Sequence, residues 1–524
     1  MNKGFLYDIS KDFEIGQRIA RLLETKKRFR SDIKKEETSK LCLQFSKRKG
    51  KQIARLSLNI IHKNNKKSVF YLVQNRLGDK DSLDGEAYEI CKPEPRRFYD
   101  KKKDIFVMYC NRYKTYIQAV KVIPLTIEET NNINNSKYST WREIKMLKQA
   151  TELVLKGCSP NLPMYYTHSI CDQSISGDYV NSNILKHFEN SKNVTQLDLV
   201  IKEINRIRTE LHGIKHYREL KSNLNKIYEK YLYDFSQGID LDKRYSNKSV
   251  LIFNEISSFD FTHLMESDPT FVLRKEYILP TLFQILHGLA ALNKYYGIVH
   301  FDLHLSNVLV TKIDTLTFNR WWHYRVKEID YYIPNQGYIF KIWDFGRANY
   351  IDYDSKADIK KKISKQFQRF FDFDVDEYEK KINKTFNKTS FRKYLYSFDV
   401  YRFFSAYYEK LIESVSEFTT KTTKSENLST SLPTVGISSS SGISKPLNIL
   451  TTKQINTLPE LKILKKIISI AYNDIMYNMV NTRLRKYDYQ GNPKNIITEF
   501  FSMYTVSPVD PEKTIINYNK PYII

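Results

Sequence analysis

From Gly297 to Val310 the chain reads GIVHFDLHLSNVLV, two apolar runs closing on a polar loop that carries His300, Asp302 and Asn307. The runs Ile298–Val299 and Val308–Val310 are too short for helices and too apolar for a surface, so they read as buried strand ends. An acid and an amide, five residues apart, are thereby fixed on one short connection. A second stretch of the same design lies at 341–348, KIWDFGRA, where the apolar run Ile339–Trp343 ends in Asp344-Phe345-Gly346. The glycine permits a sharp backbone turn just after the acid. Either stretch alone could arise by chance. In this order, each bounded by apolar strand sequence, they are jointly specific.

The residue types suit one chemistry. Phosphoryl transfer needs a carboxylate to orient the incoming hydroxyl and accept its proton, and oxygen donors on a metal that bridges the phosphates. Asp302 fits the first role, and Asn307 with Asp344 fits the second.

The rest of the chain sets limits on that reading. Its 524 residues, 41% apolar, allow two or three domains or one large catalytic fold with insertions. The net charge of +25 attracts phosphates, acidic proteins or nucleic acid without naming any of them. It is spread along the chain, with denser runs at 47–51 and 101–103, as solvated loops would have it. Five cysteines, none in a C-x-x-C pair, speak against a disulfide framework or a structural zinc site and fit a reducing compartment. The N-terminal MNKGFLYDIS lacks a signal-peptide core, and the apolar stretch 277–299 is interrupted by Gln284, His287, Asn293 and Lys294. It reads as a buried helix and not as a membrane span, so the expected setting is intracellular and cytoplasmic.

Short β-rich runs occupy 69–123 (VFYLVQ, EAYEI, IFVMYC, YIQAVKVI), and 139–155 has helical periodicity. Apolar residues at intervals of three and four from Leu197 to Tyr231 describe one or two amphipathic helices, either a hairpin on its own domain or a partner-docking arm. A strand at 249–257 and a helix at 278–296 lead into the loop of Asp302. Residues 419–446 are Ser/Thr-rich and too poor in apolar side chains to order. A helix from Pro459 to about Arg485 and an irregular tail close the chain.

The pair of loops resembles the catalytic loop and the metal-binding D-F-G of the protein kinase superfamily. Further elements fall in the family's order. AVKVI at 119–123 resembles the strand with the phosphate-holding lysine, here Lys121, and WREIKML at 141–147 the helix whose glutamate pairs with it, here Glu143. CSPNLPMYY at 158–166 resembles the turn into the fourth strand. LIFNEISSFDFTHL at 251–264 resembles the fifth strand and hinge, with backbone groups of Glu255 and Ile256 at the adenine. SFDVYRFF at 397–404 resembles the central helix of the large lobe, with Asp399 bracing the catalytic loop.

The resemblance implies an α+β, bilobal protein-kinase-like fold with a small β-rich N-lobe, a larger mainly helical C-lobe and helical insertions. The expected division is a basic extension over 1–68, an N-lobe over 69–256 with a helical insertion at about 175–246, and a C-lobe over 257–418. A disordered linker at 419–446 and a helical part with tail at 447–524 complete it. ATP and Mg²⁺ are the implied cofactors. Asp302 and His304 are the implied catalytic residues, Asn307 and Asp344 the metal ligands, and Leu77, Gly85, Lys121, Glu143, Glu255 and Ile256 the nucleotide-binding residues.

Departures from the family narrow the expectation. RLGDKDSLDGEAYEI keeps one well-placed glycine, Gly85, with Gly78 too far upstream for the usual triple spacing. Phe301 stands where many protein kinases have the arginine that clamps a phosphorylated activation loop, so switching by that clamp is not expected. His304 replaces the usual lysine, as in the aminoglycoside and choline kinases, and serves either as a donor to the phosphoryl group or as a hydrogen bond within the loop. The interval between Asp302 and Asp344 is long, which reads as a packed insertion, and no A-P-E follows. His263 and His287 fall in helical runs and read as satisfied side chains. There is no Cys/His metal cluster and no basic-aromatic array for RNA, so nucleic acid is expected only through non-specific charge.

Three readings follow. The first is a serine/threonine-protein kinase acting on a protein substrate, acidic ones included, and resembling those of large DNA viruses. The second is a small-molecule phosphotransferase, and the third a pseudokinase scaffold.

Overall fold

The computed structural model describes residues 18, 42–45, 57–61, 68–77, 86–91, 98–100, 105–107, 117–171, 245–268, 271, 274–313, 320–351, 395–414, 458–480, 491–517 and 521–524. Gly85, the insertion expected at about 175–246 except its last two residues, the stretch 419–446 and most of 1–68 lie outside them. The chain is a mixture of α and β, divided into two compact units.

One unit (Ala20–Lys145 and Met164–Ile256) is built on a seven-stranded antiparallel sheet. Its strands are β1 (Cys42–Phe45), β2 (Ser57–Ile61), β3 (Ser68–Leu77), β4 (Glu86–Cys91), β7 (Ile117–Thr126), β8 (Tyr165–Cys171) and β9 (Tyr245–Glu255). They run in the order β1-β2-β3-β4-β7-β9-β8. A small hairpin, β5 (Phe98–Asp100) and β6 (Ile105–Val107), stands apart from that sheet. The β-branched run IQAVKVIPLT makes β7 a central strand, with Val120, Val122, Ile123 and Leu125 buried.

After β7, Thr126 caps the short helix α1 (Ile127–Asn131) through a capping box with Glu129. The same Glu129 carboxylate accepts from the backbone N–H of Thr140, at the start of helix α2 (Ser139–Leu155). The Trp141 indole donates to the Glu129 carbonyl. One buried acid thus caps the first turn of both helices. The boundary between the units falls inside α2, at Lys145/Met146.

The other unit (Met1–Ile19, Met146–Pro163 and Ser257–Ile524) contains β10 (Phe259–Asp260), α3 (Phe261–Ser267), α4 (Lys275–Tyr296), β11 (Ile298–Val299), β12 (Val308–Lys312), β13 (Trp321–Val326), β14 (Ile329–Pro334), β15 (Tyr338–Ile342) and β16 (Asn349–Tyr350). It continues with helix α5 over 395–414, α6 (Pro459–Val480), α7 (Pro493–Phe500) and β17 (Tyr522–Ile523).

Helix α4 is its spine. Leu282, Phe283, Leu286 and Leu289 are buried, each contributing roughly 1.5–3 kcal/mol by transfer from water. Pro280 removes one backbone donor inside the helix and so deprives the Glu276 carbonyl of its partner; Gln336 Nε2 supplies the bond instead, at 2.7 Å. Gln284, polar in an apolar run, bonds to strand β15: its Oε1 accepts from Phe340 N (3.1 Å) and from Asn161 Nδ2 (2.9 Å). No described helix is long and apolar enough to cross a membrane.

The stretch between β12 and β15 is packed, as its length suggested. β13 and β14 form a hairpin whose Trp322, Tyr324, Tyr331 and Ile333 are buried. The tail is not irregular, as the sequence had suggested. It contains α7, capped by Asn492, and strand β17, which pairs in parallel with β13. Its local signal is weak because a two-residue strand is defined by its partner and not by its own pattern.

Candidate active site

Two ladders fix the geometry of the site. β11 pairs with β16 (Val299↔Asn349), and β12 pairs with β15 (Val308↔Ile342). Residues 300–307 run from β11 to β12, and residues 343–348 run from β15 to β16. The two connections are therefore held side by side at both ends. Trp343 N donates to Asn307 O (2.8 Å), and the His300 imidazole Nε2 donates to Trp343 O (2.7 Å). Asp302 and Asp344 consequently share one neighbourhood, and both act electrostatically on His300 and His304.

The entry to the first loop is set by Gly297, which ends α4 in the left-handed conformation at φ 60° and donates to Asn293 O. From below, Asp399 on α5 accepts the backbone N–H of His300 at Oδ2 (2.7 Å) and of Phe301 at Oδ1 (2.8 Å). This is the brace expected of Asp399. Burial pushes its carboxyl up to about 7, against the pull of those two donors. Phe301 takes φ 62°, a left-handed conformation that costs a bulky residue about 1–3 kcal/mol. It is held there by the Asp399 bond and by its buried ring against Phe398.

Asp344 is likewise left-handed (φ 63°, ψ 75°), and its Oδ1 accepts from Gly346 N at 3.3 Å. Phe345 is buried beneath it against the His300 ring. Burial lowers the His300 proton affinity, opposed by its bond to the Trp343 carbonyl. Burial also lowers that of His304, and the nearby Asp302 carboxylate pulls the other way. Below its usual range, His304 is a neutral imidazole at pH 7.

Asn307 donates its amide NH₂ to the Asp302 carbonyl (2.8 Å), which leaves the amide oxygen as that side chain's acceptor. With the Asp344 carboxylate it forms a hard-oxygen donor set of the kind Mg²⁺ takes. Among the described residues no three His, Cys, Asp or Glu side chains cluster as a metal cage. An ion here would rely on this carboxylate and amide together with phosphate oxygens, the usual arrangement for Mg²⁺ beside a nucleotide. The residues fit that group.

In the sheet unit, Lys121 Nζ on β7 and Glu143 Oε1 on α2 form a buried ion pair at 2.8 Å. Glu255 closes β9: its Oε1 accepts from Met164 N (2.8 Å) and its own N–H donates to Met164 O (2.9 Å). Ile256 follows as the last residue of the unit. Leu77 ends β3 opposite Ala87 on β4, and Gly85 lies just outside the described residues.

Two residues were not singled out by sequence reasoning. Arg347, three residues after Asp344, places Nη1 3.5 Å from Asp302 Oδ2. The only hint was a cation directly after D-F-G. Arg18, in the N-terminal extension, is buried and donates to the carbonyls of Pro160 (2.7 Å) and Leu162 (2.5 Å). No motif marks it.

No family model matches the chain. An uncharacterized protein of African swine fever virus is 23% identical over 198 residues, 38% of this chain and 27% of that protein. The counterpart from a second isolate of the virus is 23% identical over 212 residues, with the same shares. The chain thus spans about a quarter of the length of these curated relatives. A protein of Invertebrate iridescent virus 6 described as a probable serine/threonine-protein kinase is 37% identical over 68 residues, 13% of each chain. The chain is similar, in part, to proteins of large DNA viruses, one of them described as a kinase.

Proposed function

We propose that the chain is an ATP-dependent protein kinase of bilobal fold, transferring the γ-phosphoryl group to Ser/Thr hydroxyls of protein substrates. The observation that carries this reading is the double ladder that brings Asp302, Asn307 and Asp344 together on two adjacent loops. The buried Lys121–Glu143 pair supports it independently. The short viral match supports it further.

In this reading Asp302 orients the acceptor hydroxyl and takes its proton. Asn307 and Asp344 hold Mg²⁺, which when bound offsets the charge of the phosphate oxygens. Lys121, held by Glu143, reaches the α- and β-phosphates. The adenine meets backbone groups near Glu255 and Ile256. Leu77 and Gly85 cover the nucleotide. His304, neutral and beside Asp302, acts as a hydrogen-bond donor within the site.

His304 also favours a second reading, a phosphotransferase with a small-molecule acceptor. Labelled ATP offered with basic and acidic proteins on one side, and with sugars, choline and aminoglycosides on the other, separates the two. Asp302→Ala should lower turnover by at least about 10³-fold while leaving nucleotide binding intact. Near-normal transfer by Asp302→Ala would overturn the role of that residue. A thermal shift with Mg²⁺-ATP in the native chain, lost in Asp344→Ala, is expected; no shift in the native chain would favour a scaffold.

A further inference from the structure

Asp302 has two carboxylate oxygens and, for a general base, only one can face the acceptor. Its main-chain carbonyl is tied to Asn307, but nothing in the loop motif fixes the rotation of the carboxylate itself. Arg347 does so. Its Nη1 lies 3.5 Å from Oδ2, an ion-pair contact made by that oxygen and not by Oδ1.

The backbone that carries the guanidinium is fixed by its surroundings. Arg347 closes the three-residue 3-10 turn Phe345–Arg347, locked by Ala348 N donating to Phe345 O (3.0 Å) and flanked by buried Phe345 and Ala348. β16 begins two residues later, at Asn349, whose ladder pairs with β11, the strand leading into the Asp302 loop. The backbone that carries the cation is thus registered to the backbone that carries the acid. The side chain is 48% exposed, so it adds little to the core.

Resting on the phosphotransferase reading, we propose that Arg347 is a positioning residue for Asp302. It holds Oδ2 so that Oδ1 is presented to the acceptor hydroxyl. In the transfer, the acceptor oxygen forms the new bond to the γ-phosphorus and its proton passes to Oδ1. The bond to the nucleoside diphosphate breaks, and its electron pair leaves with that group. As Asp302 becomes neutral, the guanidinium beside it is released to face the negative charge on the phosphoryl oxygens.

The test compares Arg347→Ala, Arg347→Lys and the native full-length chain with labelled Mg²⁺-ATP and whichever acceptor the native chain uses. Arg347→Ala should lose about 10²-fold in kcat with KM for ATP changed less than about threefold. Arg347→Lys, keeping the charge but not the fork, should recover about tenfold of that loss. The melting temperature should match the native chain in both. Equal or faster turnover in Arg347→Ala overturns the assignment, as does an equal loss in both variants or a loss that tracks a lower melting temperature. An active native chain with an unaffected Arg347→Ala sinks this assignment alone. A native chain that transfers no phosphate sinks it together with the reading on which it rests.

Discussion

The loop of Asp302 and the tail segment that begins at Gly491 are anchored by the same device, a buried carboxylate that takes backbone N–H groups. Asp399 on α5 holds His300 and Phe301. Asp474 on α6 accepts the N–H of Gly491 and the Ser397 hydroxyl (3.1 Å). The surroundings differ. Phe301, held by Asp399, is left-handed and strained, whereas at Gly491 the absence of a side chain lets the backbone touch the acid. One anchor holds strain in the loop of Asp302; the other simply closes the fold. A buried acid is not in itself a sign of chemistry; what it restrains decides its meaning.

The largest effect that sharpens this contrast is expected for Asp399→Asn. The amide can accept only one of the two N–H groups, so the strained Phe301 is released. Phosphoryl transfer should fall by about 10²-fold, and stability by about 1–3 kcal/mol, read from turnover and urea unfolding. Gly491→Ala should act on stability alone. The added methyl meets the Asp474 carboxylate and the Ser397 hydroxyl, whose oxygen would lie 2.6 Å away. A loss of about 1–3 kcal/mol with unchanged turnover per folded molecule would keep the two anchors distinct; lost turnover would break the comparison.

The smallest effect is a dependence on pH. Burial pushes the Asp474 carboxyl up to about 6 and that of Asp399 to about 7, both above their unfolded values. For a raised carboxyl the contribution to stability is full below the unfolded value of about 4 and is lost as pH rises through the folded one. Asp474→Asn should therefore flatten the pH dependence of the urea midpoint between about 4 and 6, by on the order of 1–2 kcal/mol. An identical slope in the variant would show that Asp474 is not the group responsible.

Much of the local structure was legible. Helix α2 spans Ser139–Leu155 as its periodicity indicated, and β12 and β15 lie where the apolar runs flanking the polar loops put them. The two acids stood out because each follows or precedes an apolar run, and the structure puts their loops side by side. What could not be read was register. That Val299 faces Asn349 and Val308 faces Ile342 depends on pairings across some forty residues, which no local pattern encodes. The Arg347–Asp302 pair, the Arg18 tie and the Gln336 bond to Glu276 join residues distant in sequence, and no local pattern encodes them either. The tail was misread because β17 borrows its conformation from β13.

One feature of that register bears on how such a chain can diverge. β12 and β15 remain paired out to Lys312 and Tyr338, and Ile313 N still bonds to Gly337 O at 2.8 Å. Everything between those residues leaves and returns through a shut clasp. A segment such as the β13–β14 hairpin can be accommodated there without shifting either acid. The interval in sequence between Asp302 and Asp344 can therefore change without moving the backbone that sets the two acids beside each other.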